Sequence, residues 1–256
     1  MNEWILPQGE AAALMPGASY SLPGLFLYSK LIYQCLDQVQ DKFGYAIPVR
    51  YLYGSPKVLW NCGRLIITDN HYTREEIYQE LAGAKARGIT PLLTFSAPVL
   101  SQEDLADPAG NAILAMADEV GGGVIVSTPL LRDYIRAKYP NIEVHASVIM
   151  TAFPEQRDEG YYASLAREYD RFVVHPDDNF RLDLLEKIPK DRAEIILNER
   201  CVYQCHQRKE HYPSIVEDQA ALIQGDGELT HFLDHCPNVP DFKQHASKAR
   251  NISLTA

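Results

Sequence analysis

The stretch PLLTFSAPVLSQEDLADPAGNAILAMADEVGGGVIVST, residues 91–128, contains one complete unit of the predicted fold. Apolar runs stand at its two ends, PLLTF at 91–95 and GVIVST at 123–128, and each has the length of a buried strand. Between them, AGNAILAMADEVG at 109–121 has the apolar spacing of an amphipathic helix. A strand, a helix and a second strand in this order predict a right-handed βαβ unit with parallel strands.

The same alternation extends along most of the chain. The predicted strands are IPVRYLY (47–53), RLIIT (64–68), PLLTF (91–95), GVIVST (123–128), IEVHASVI (142–149), RFVVH (171–175) and AEIILN (193–198). The predicted helices lie at 22–44, 74–88, 109–121, 129–140, 160–169 and 180–189. Thr73 and Gly88 are suitable start and stop signals for the second helix. Strands separated by helices in this way predict a mainly parallel sheet.

Two features favour a TIM-like (β/α)₈ barrel over an open doubly wound sheet. The chain has no G-x-G-x-x-G or Walker phosphate loop after any predicted strand. Polar residues instead follow strand after strand, as at the C-terminal rim of barrel enzymes. They are Asp69, Asn70, Thr94, Ser96, Ser127, Thr128, Ser147, His175, Asp177, Asp178, Asn198 and Glu199.

Because seven strands are visible, we expect the barrel to be incomplete or irregular at its C-terminal end. The predicted organisation is one domain over residues 1–256, with a poorly structured N-terminal extension at 1–21 and a cysteine-containing C-terminal segment at 199–256. The remaining gap in the barrel could be closed by a protein partner, by a second copy in a homo-oligomer, or by the segment 22–44.

Composition limits the partners. The net charge of −10 disfavours binding to nucleic acid as a bulk partner or to an anionic membrane, and no apolar run reaches the roughly 20 residues of a membrane span. Five cysteines are too few and too unevenly spaced for a disulfide framework, and the N-terminus lacks a secretory signal. These features predict a cytoplasmic protein acting on a small molecule.

The segment 198–212, NERCVYQCHQRKEHY, contains the densest chemistry in the chain. Cys201 and Cys205 are four residues apart, so a helical turn would point both thiolates the same way. With Cys236 they form a candidate metal set for a [4Fe-4S] cluster, or for zinc with one of His206, His211 or His235 as fourth ligand. By contrast, Cys35 in the first helix is expected to be a core residue.

The run ILNERCVYQCHQRKEHY resembles the motif of the collagenase-like peptidase family, Asn-Glu-x-Cys-x₃-Cys-Pro-x-Arg-x-x-His, although His206 stands in place of the proline. LPGLF, WNCGRL, TFSAPVLSQEDLADPAGN and GVIVSTPLLRDYIRAKYP resemble uncharacterised bacterial barrels related to that family. The resemblance covers most of 22–212. It implies a barrel with protease activity or oxygen-independent hydroxylation chemistry, and a [4Fe-4S] cluster bound by Cys201 and Cys205, with Cys236 as a further ligand.

Other residues support different functions. His175, Asp177 and Glu199 could act as general acid and base groups of a metal-free lyase or isomerase, and Arg208 and His211 could bind a substrate carboxylate. His145 lies within a strand and is expected to be a hydrogen-bonded core histidine. The leading hypothesis is an iron–sulfur barrel enzyme that acts on a small metabolite in redox or hydroxylation chemistry. The alternatives are a metal-free lyase or isomerase, a peptidase, and a non-enzymatic barrel subunit of a larger complex.

Overall fold

The computed structural model describes residues 17–62, 72–197, 199 and 203–224. Its strands are Tyr20–Pro23 (β1), Val49–Gly54 (β2), Thr90–Phe95 (β3), Gly123–Val126 (β4), Glu143–Ala146 (β5), Arg171–Val173 (β6) and Ala193–Glu194 (β7). Its α-helices are Ser29–Phe43 (α1), Arg74–Ala86 (α2), Pro108–Glu119 (α3), Pro129–Lys138 (α4), Glu159–Glu168 (α5), Leu182–Leu185 (α6) and Arg208–Gln224 (α7). Short 3₁₀ turns occupy Leu59–Asn61, Asp104–Ala106, Met150–Ala152 and Pro176–Asp178.

The seven strands form one parallel sheet in the order in which they occur along the chain. A contact between the two end strands shows that the sheet curls. The hydroxyl of Ser21 in β1 donates a 3.1 Å hydrogen bond to the Glu194 carboxylate in β7. Within the described residues, the first and last strands each pair with a single neighbouring strand. The architecture is therefore an incomplete TIM-like barrel, and the predicted α/β class with a parallel sheet is confirmed.

The two faces of the curled sheet differ in chemistry. Side chains on the outer face pack against the helices and are fully buried, including Leu52, Leu93, Val124, Val144 and Phe172. The inner face carries polar groups such as Tyr51 and His145, whose rings lie 4.9 Å apart although β2 and β5 are not neighbours. Alternation along each strand places apolar side chains under the helices, and it places polar groups together with some apolar side chains such as Leu92 and Val173 inside the curl.

Side-chain caps mark where several helices begin. Thr73 and Glu76 form a reciprocal capping box at the start of α2, as the sequence predicts. The side chains of Asp107, Thr128 and Asp158 cap α3, α4 and α5 by accepting hydrogen bonds from backbone N–H groups in the first turn. Each cap stabilises its helix by about 1 kcal/mol and fixes the direction in which the chain leaves the preceding strand.

Six of the seven predicted strands are confirmed, with shorter bounds at several ends, and the run at 64–68 lies outside the described residues. The prediction of helix from residue 22 is wrong, because 20–23 form β1 and α1 begins only at Ser29. Tyr20 and Ser21 belong to this strand, whereas the sequence predicts them to be part of the N-terminal extension. Residues 1–16 lie outside the described residues. Pro23 and Gly24, which has φ of 104°, prevent a helix here.

None of the helices in the described part of the chain combines the length and the apolar character that crossing a membrane requires.

Candidate functional site

His175 lies just beyond the C-terminal end of β6, the position at which barrel enzymes carry reacting groups. The chain turns there because Pro176 opens the 3₁₀ turn Pro176–Asp178, where its fixed φ and missing N–H are tolerated. The His175 side chain is 3% exposed. The turn places Asp177 directly beside the imidazole, since His175 Nδ1 and Asp177 Oδ2 are 3.6 Å apart.

Arg208, the first residue of α7, contacts both members of this pair. Its Nη1 lies 2.8 Å from His175 Nε2, and its Nη2 lies 3.7 Å from Asp177 Oδ1. Arg208 is 5% exposed, so the guanidinium is held inside the protein. The structure thus brings together three of the predicted site residues, which are 33 positions apart at most. We call His175, Asp177 and Arg208 the rim cluster.

The His175 imidazole is neutral in this setting. Burial, followed by the positive charges of Arg157 and Arg208, lowers its pKa to about 3. A guanidinium can only donate, so Nε2 accepts from Arg208 when the proton is on Nδ1. The Asp177 backbone N–H also points at Nδ1, at 3.2 Å, and a neutral imidazole cannot accept through both nitrogens at once. The position of the proton therefore decides which of the two contacts is formed.

A second layer of polar side chains holds His175 from the other side. Its backbone N–H donates to the Tyr162 hydroxyl at 3.0 Å, and that hydroxyl donates to Asp178 Oδ2 at 2.7 Å. Asp178 also receives a 2.8 Å bond from Arg157 and a 3.3 Å bond from Arg181. The sequence alone identifies Asp178 only as a rim residue and does not single out Tyr162 or Arg157, because residues so far apart in the chain carry no local signal.

The cysteine-containing segment is attached to the rim cluster on both sides of Cys205. The Gln204 backbone N–H donates to Asp177 Oδ1 at 3.1 Å, and the Arg208 N–H donates to the Cys205 carbonyl. Gln204 has a φ of 54°, a left-handed conformation that costs a non-glycine residue free energy. Cys205 is half-buried, whereas Cys201 and Cys236 lie outside the described residues.

Glu199 and His211 are the remaining two of the residues that the sequence predicts as acid, base or binding groups. Glu199 is half-buried, and His211 is buried one turn beyond Arg208 on α7. Neighbouring Tyr212 packs against an apolar group of Val148, Ile149 and Val173 at the C-terminal ends of β5 and β6. The first turns of α7 therefore lie over this end of the curled sheet and cover part of the rim.

Among the described residues, no group of three or more histidine, cysteine, aspartate or glutamate side chains has an arrangement that could hold a metal ion. Cys35 is exposed on α1, so its expected place in the core is wrong, while Cys62 is buried and its thiol lies 3.8 Å from the Val58 carbonyl oxygen. Burial and the negative charges of Asp107 and Asp104 raise the pKa of Cys62 to about 12, which disfavours its thiolate.

Comparison with solved structures places this geometry in a known fold. The structure of the U32 peptidase Mk0906 matches with a TM-score of 0.54 and 15% sequence identity, over 93% of this chain and 89% of that chain. The fold is shared with a U32 peptidase. This neighbour agrees with the collagenase-like resemblance at the level of fold. No model of a protein family matches the chain, and no curated protein matches it.

Proposed function

We propose that this protein is a barrel enzyme with a cysteine-bound metal centre, a [4Fe-4S] cluster held by Cys201, Cys205 and Cys236. The observation that supports the proposal is the double attachment of Cys205 to the rim cluster, through Gln204 to Asp177 and through Arg208 to His175. This attachment holds the one described cysteine of the set at the C-terminal ends of the strands, where barrel folds place their chemistry.

The chemistry of the donor set fits an iron–sulfur cluster or zinc. Thiolates are the usual ligands of both. Three cysteines leave one position of a [4Fe-4S] cluster for a further protein group or for substrate. When bound, such a cluster would supply one-electron redox chemistry.

The Arg208 guanidinium in the rim cluster is the basis for the class of substrate that we propose for this centre. Arg208 carries a fixed positive charge with several donors in one plane, and such a group binds a carboxylate through two parallel hydrogen bonds. Asp177 already lies 3.7 Å from the guanidinium, so a substrate carboxylate would compete with an existing partner. We propose a small metabolite with a carboxylate as substrate, bound by Arg208 and His211, with Asp177 and Glu199 as acid and base groups.

The low pKa of His175 gives this residue a different role from the acid or base role that the sequence predicts. An imidazole whose pKa is about 3 is a weak base near neutral pH, far from the match that efficient proton transfer requires. We propose that His175 instead acts as a neutral hydrogen-bond acceptor that fixes the direction of the Arg208 guanidinium.

Anaerobic purification followed by iron and sulfide analysis tests the metal centre. We expect about four iron and four sulfide per chain in the wild type, and loss of most of both in Cys201→Ser, Cys205→Ser and Cys236→Ser. Cys35→Ser is the matched control, because Cys35 is exposed on α1 and lies outside the proposed set. A wild-type protein without iron after reconstitution rules out the cluster, and one zinc per chain would establish the alternative metal.

Peptidase activity is the second candidate, and the U32 peptidase neighbour favours it. Hydrolysis of an unstructured protein such as casein by wild type, but not by Arg208→Gln, would support it. If the protein is free of metal and cleaves no peptide, yet converts a small carboxylate, the metal-free lyase or isomerase is favoured instead.

A further inference from the structure

A second polar cluster lies inside the curl of the sheet, at the opposite end from the rim cluster. Its centre is His145 in β5, which is 1% exposed, as the sequence predicts for a core histidine. His145 Nε2 lies 3.1 Å from Glu143 Oε1, and its Nδ1 lies 3.1 Å from Glu194 Oε1. The imidazole therefore connects β5 to β7, the last strand of the sheet.

The two carboxylates on either side of the ring favour its charged state. Both ring nitrogens face a carboxylate oxygen, and an ionised carboxylate can only accept hydrogen bonds. A neutral imidazole would direct one lone pair at a carboxylate oxygen 3.1 Å away. Both contacts are favourable only when both nitrogens carry protons. The arrangement is thus that of a buried imidazolium between two glutamates.

The groups that surround the imidazolium support this charge. Glu143 also accepts a hydrogen bond from Tyr51 in β2 and lies 3.8 Å from Arg171 in β6. Burial raises the pKa of Glu143, but hydrogen bonds from His145 and Tyr51 outweigh it and lower that pKa to about 2. Burial and the Glu143 contact raise the pKa of Tyr51 to about 12, so this phenol stays neutral. On the last strand, β7, the charged group is Glu194.

Glu194 extends the connection to the first strand. Its Oε2 accepts the 3.1 Å hydrogen bond from Ser21 in β1, while its Oε1 faces His145. Within the described residues, β1 and β7 are the two ends of the sheet. We call the boundary between these two end strands the seam. The Glu194 carboxylate therefore has the Ser21 hydroxyl on one side and the His145 imidazolium on the other, and its orientation depends on both.

We propose that protonated His145 is a charge-dependent latch, which orients Glu194 so that the first and last strands of the curled sheet stay together across the seam. When His145 loses its proton, one nitrogen becomes an acceptor and no longer attracts the facing carboxylate. Whichever nitrogen gives up the proton, Glu194 loses the positive charge that holds it towards Ser21, and the seam loosens. The latch makes closure of the sheet dependent on pH.

The direction of the pH effect follows from linkage. Burial alone lowers the pKa of His145, but the hydrogen bonds and charges of Glu143 and Glu194 outweigh it and raise the pKa above 6.5. The folded protein then binds this proton more tightly than the unfolded chain. The stabilisation is complete below the unfolded pKa of about 6.5, and it is lost as pH rises through the raised folded pKa.

Two measurements on the whole chain test the latch. Nitrogen-15 NMR of the histidine rings, assigned with His145→Gln, should show His145 doubly protonated at pH 7 and losing its proton at higher pH. The second measurement is the rate of backbone amide hydrogen exchange, corrected for its intrinsic pH dependence. This rate should rise about tenfold in β1 and β7 for each tenfold fall in the ratio of protonated to neutral His145, while β3, inside the sheet, changes little. A singly protonated His145 at pH 7 overturns the proposal without any variant.

The variants separate the latch from general instability. In Glu194→Gln the amide keeps the shape of the carboxylate but removes its charge, so exchange in β1 and β7 should become fast already at pH 7 and nearly independent of pH. Glu186→Gln is the control for the same chemical change, since Glu186 is exposed and outside the cluster, and it should behave as wild type. Equal acceleration in β3, or a Glu194→Gln profile that still follows the wild-type pH dependence, would contradict the latch.

Discussion

Ser21 in β1 donates a 3.1 Å hydrogen bond to Glu194 in β7, although 173 positions separate the two residues. The combined reach of the serine side chain, the glutamate side chain and the hydrogen bond limits the separation of the end strands to about two strand spacings, roughly 10 Å. The seam between them is therefore no wider than a single strand. This contact distinguishes a curled, incomplete barrel from an open doubly wound sheet, in which the first and last strands would lie far apart.

Ser21→Ala should destabilise the protein by about 1–2 kcal/mol, because the hydroxyl donates to a charged and partly buried acceptor. Urea denaturation at pH 7 would measure the difference in the free energy of unfolding. Ser19→Ala is a suitable control, since Ser19 is exposed just before β1. Equal effects of the two substitutions would mean that the Ser21 contact adds nothing to stability.

Arg208→Gln should raise the pKa of His175 well above its value of about 3, because the guanidinium charge is one of the causes of the depression. Burial and Arg157 remain in the variant, so the pKa should stay below 6.5. NMR titration of the imidazole would follow this change. Lys209→Gln removes an adjacent exposed charge and should leave the titration unaltered; a similar rise in that variant would show that the short Arg208 contact is not responsible.

Acid should destabilise the protein through His175. The unfolded chain binds a proton at His175 near pH 6.5, while the folded protein resists protonation down to about pH 3. The contribution of this group to stability is therefore present above pH 6.5 and is lost progressively as pH falls from 6.5 to 3. His175→Gln should flatten the stability profile in that window when compared with wild type by denaturant titration, and an unchanged slope would count against a neutral buried His175.

Tyr162→Phe should cost about 1–3 kcal/mol, because it removes the hydroxyl that joins the His175 backbone to Asp178 and leaves a buried N–H without its acceptor. Tyr161→Phe is the matched control on the preceding residue, since the Tyr161 hydroxyl makes a long, 3.4 Å hydrogen bond to the Met150 carbonyl. Thermal unfolding of both variants would compare them. We expect the larger fall in Tm for Tyr162→Phe, and the reverse order would exclude this hydroxyl as the support of the rim.

The local patterns of the chain are sufficient for much of the fold. Apolar runs of strand length, helical spacing between them and a capping residue such as Thr73 are properties of neighbouring residues, and they predict six of the strands and the parallel order. β1 escapes the same reasoning because its four residues, YSLP, show no periodic pattern and end in proline. As an end strand with one described neighbour, β1 tolerates that proline, which a central strand would not.

The sequence by itself determined the α/β class, the positions of most elements and the residue types available for chemistry, because these depend on contacts within a few positions. Only the tertiary structure decided which of these side chains contact one another. Arg208 reaches His175 across 33 positions because α7 lies over the C-terminal ends of the strands. Ser21 reaches Glu194 across 173 positions because the sheet curls. The charge states of His175 and His145 were likewise decided by folding: both are buried, but His175 lies among cations and His145 between two carboxylates.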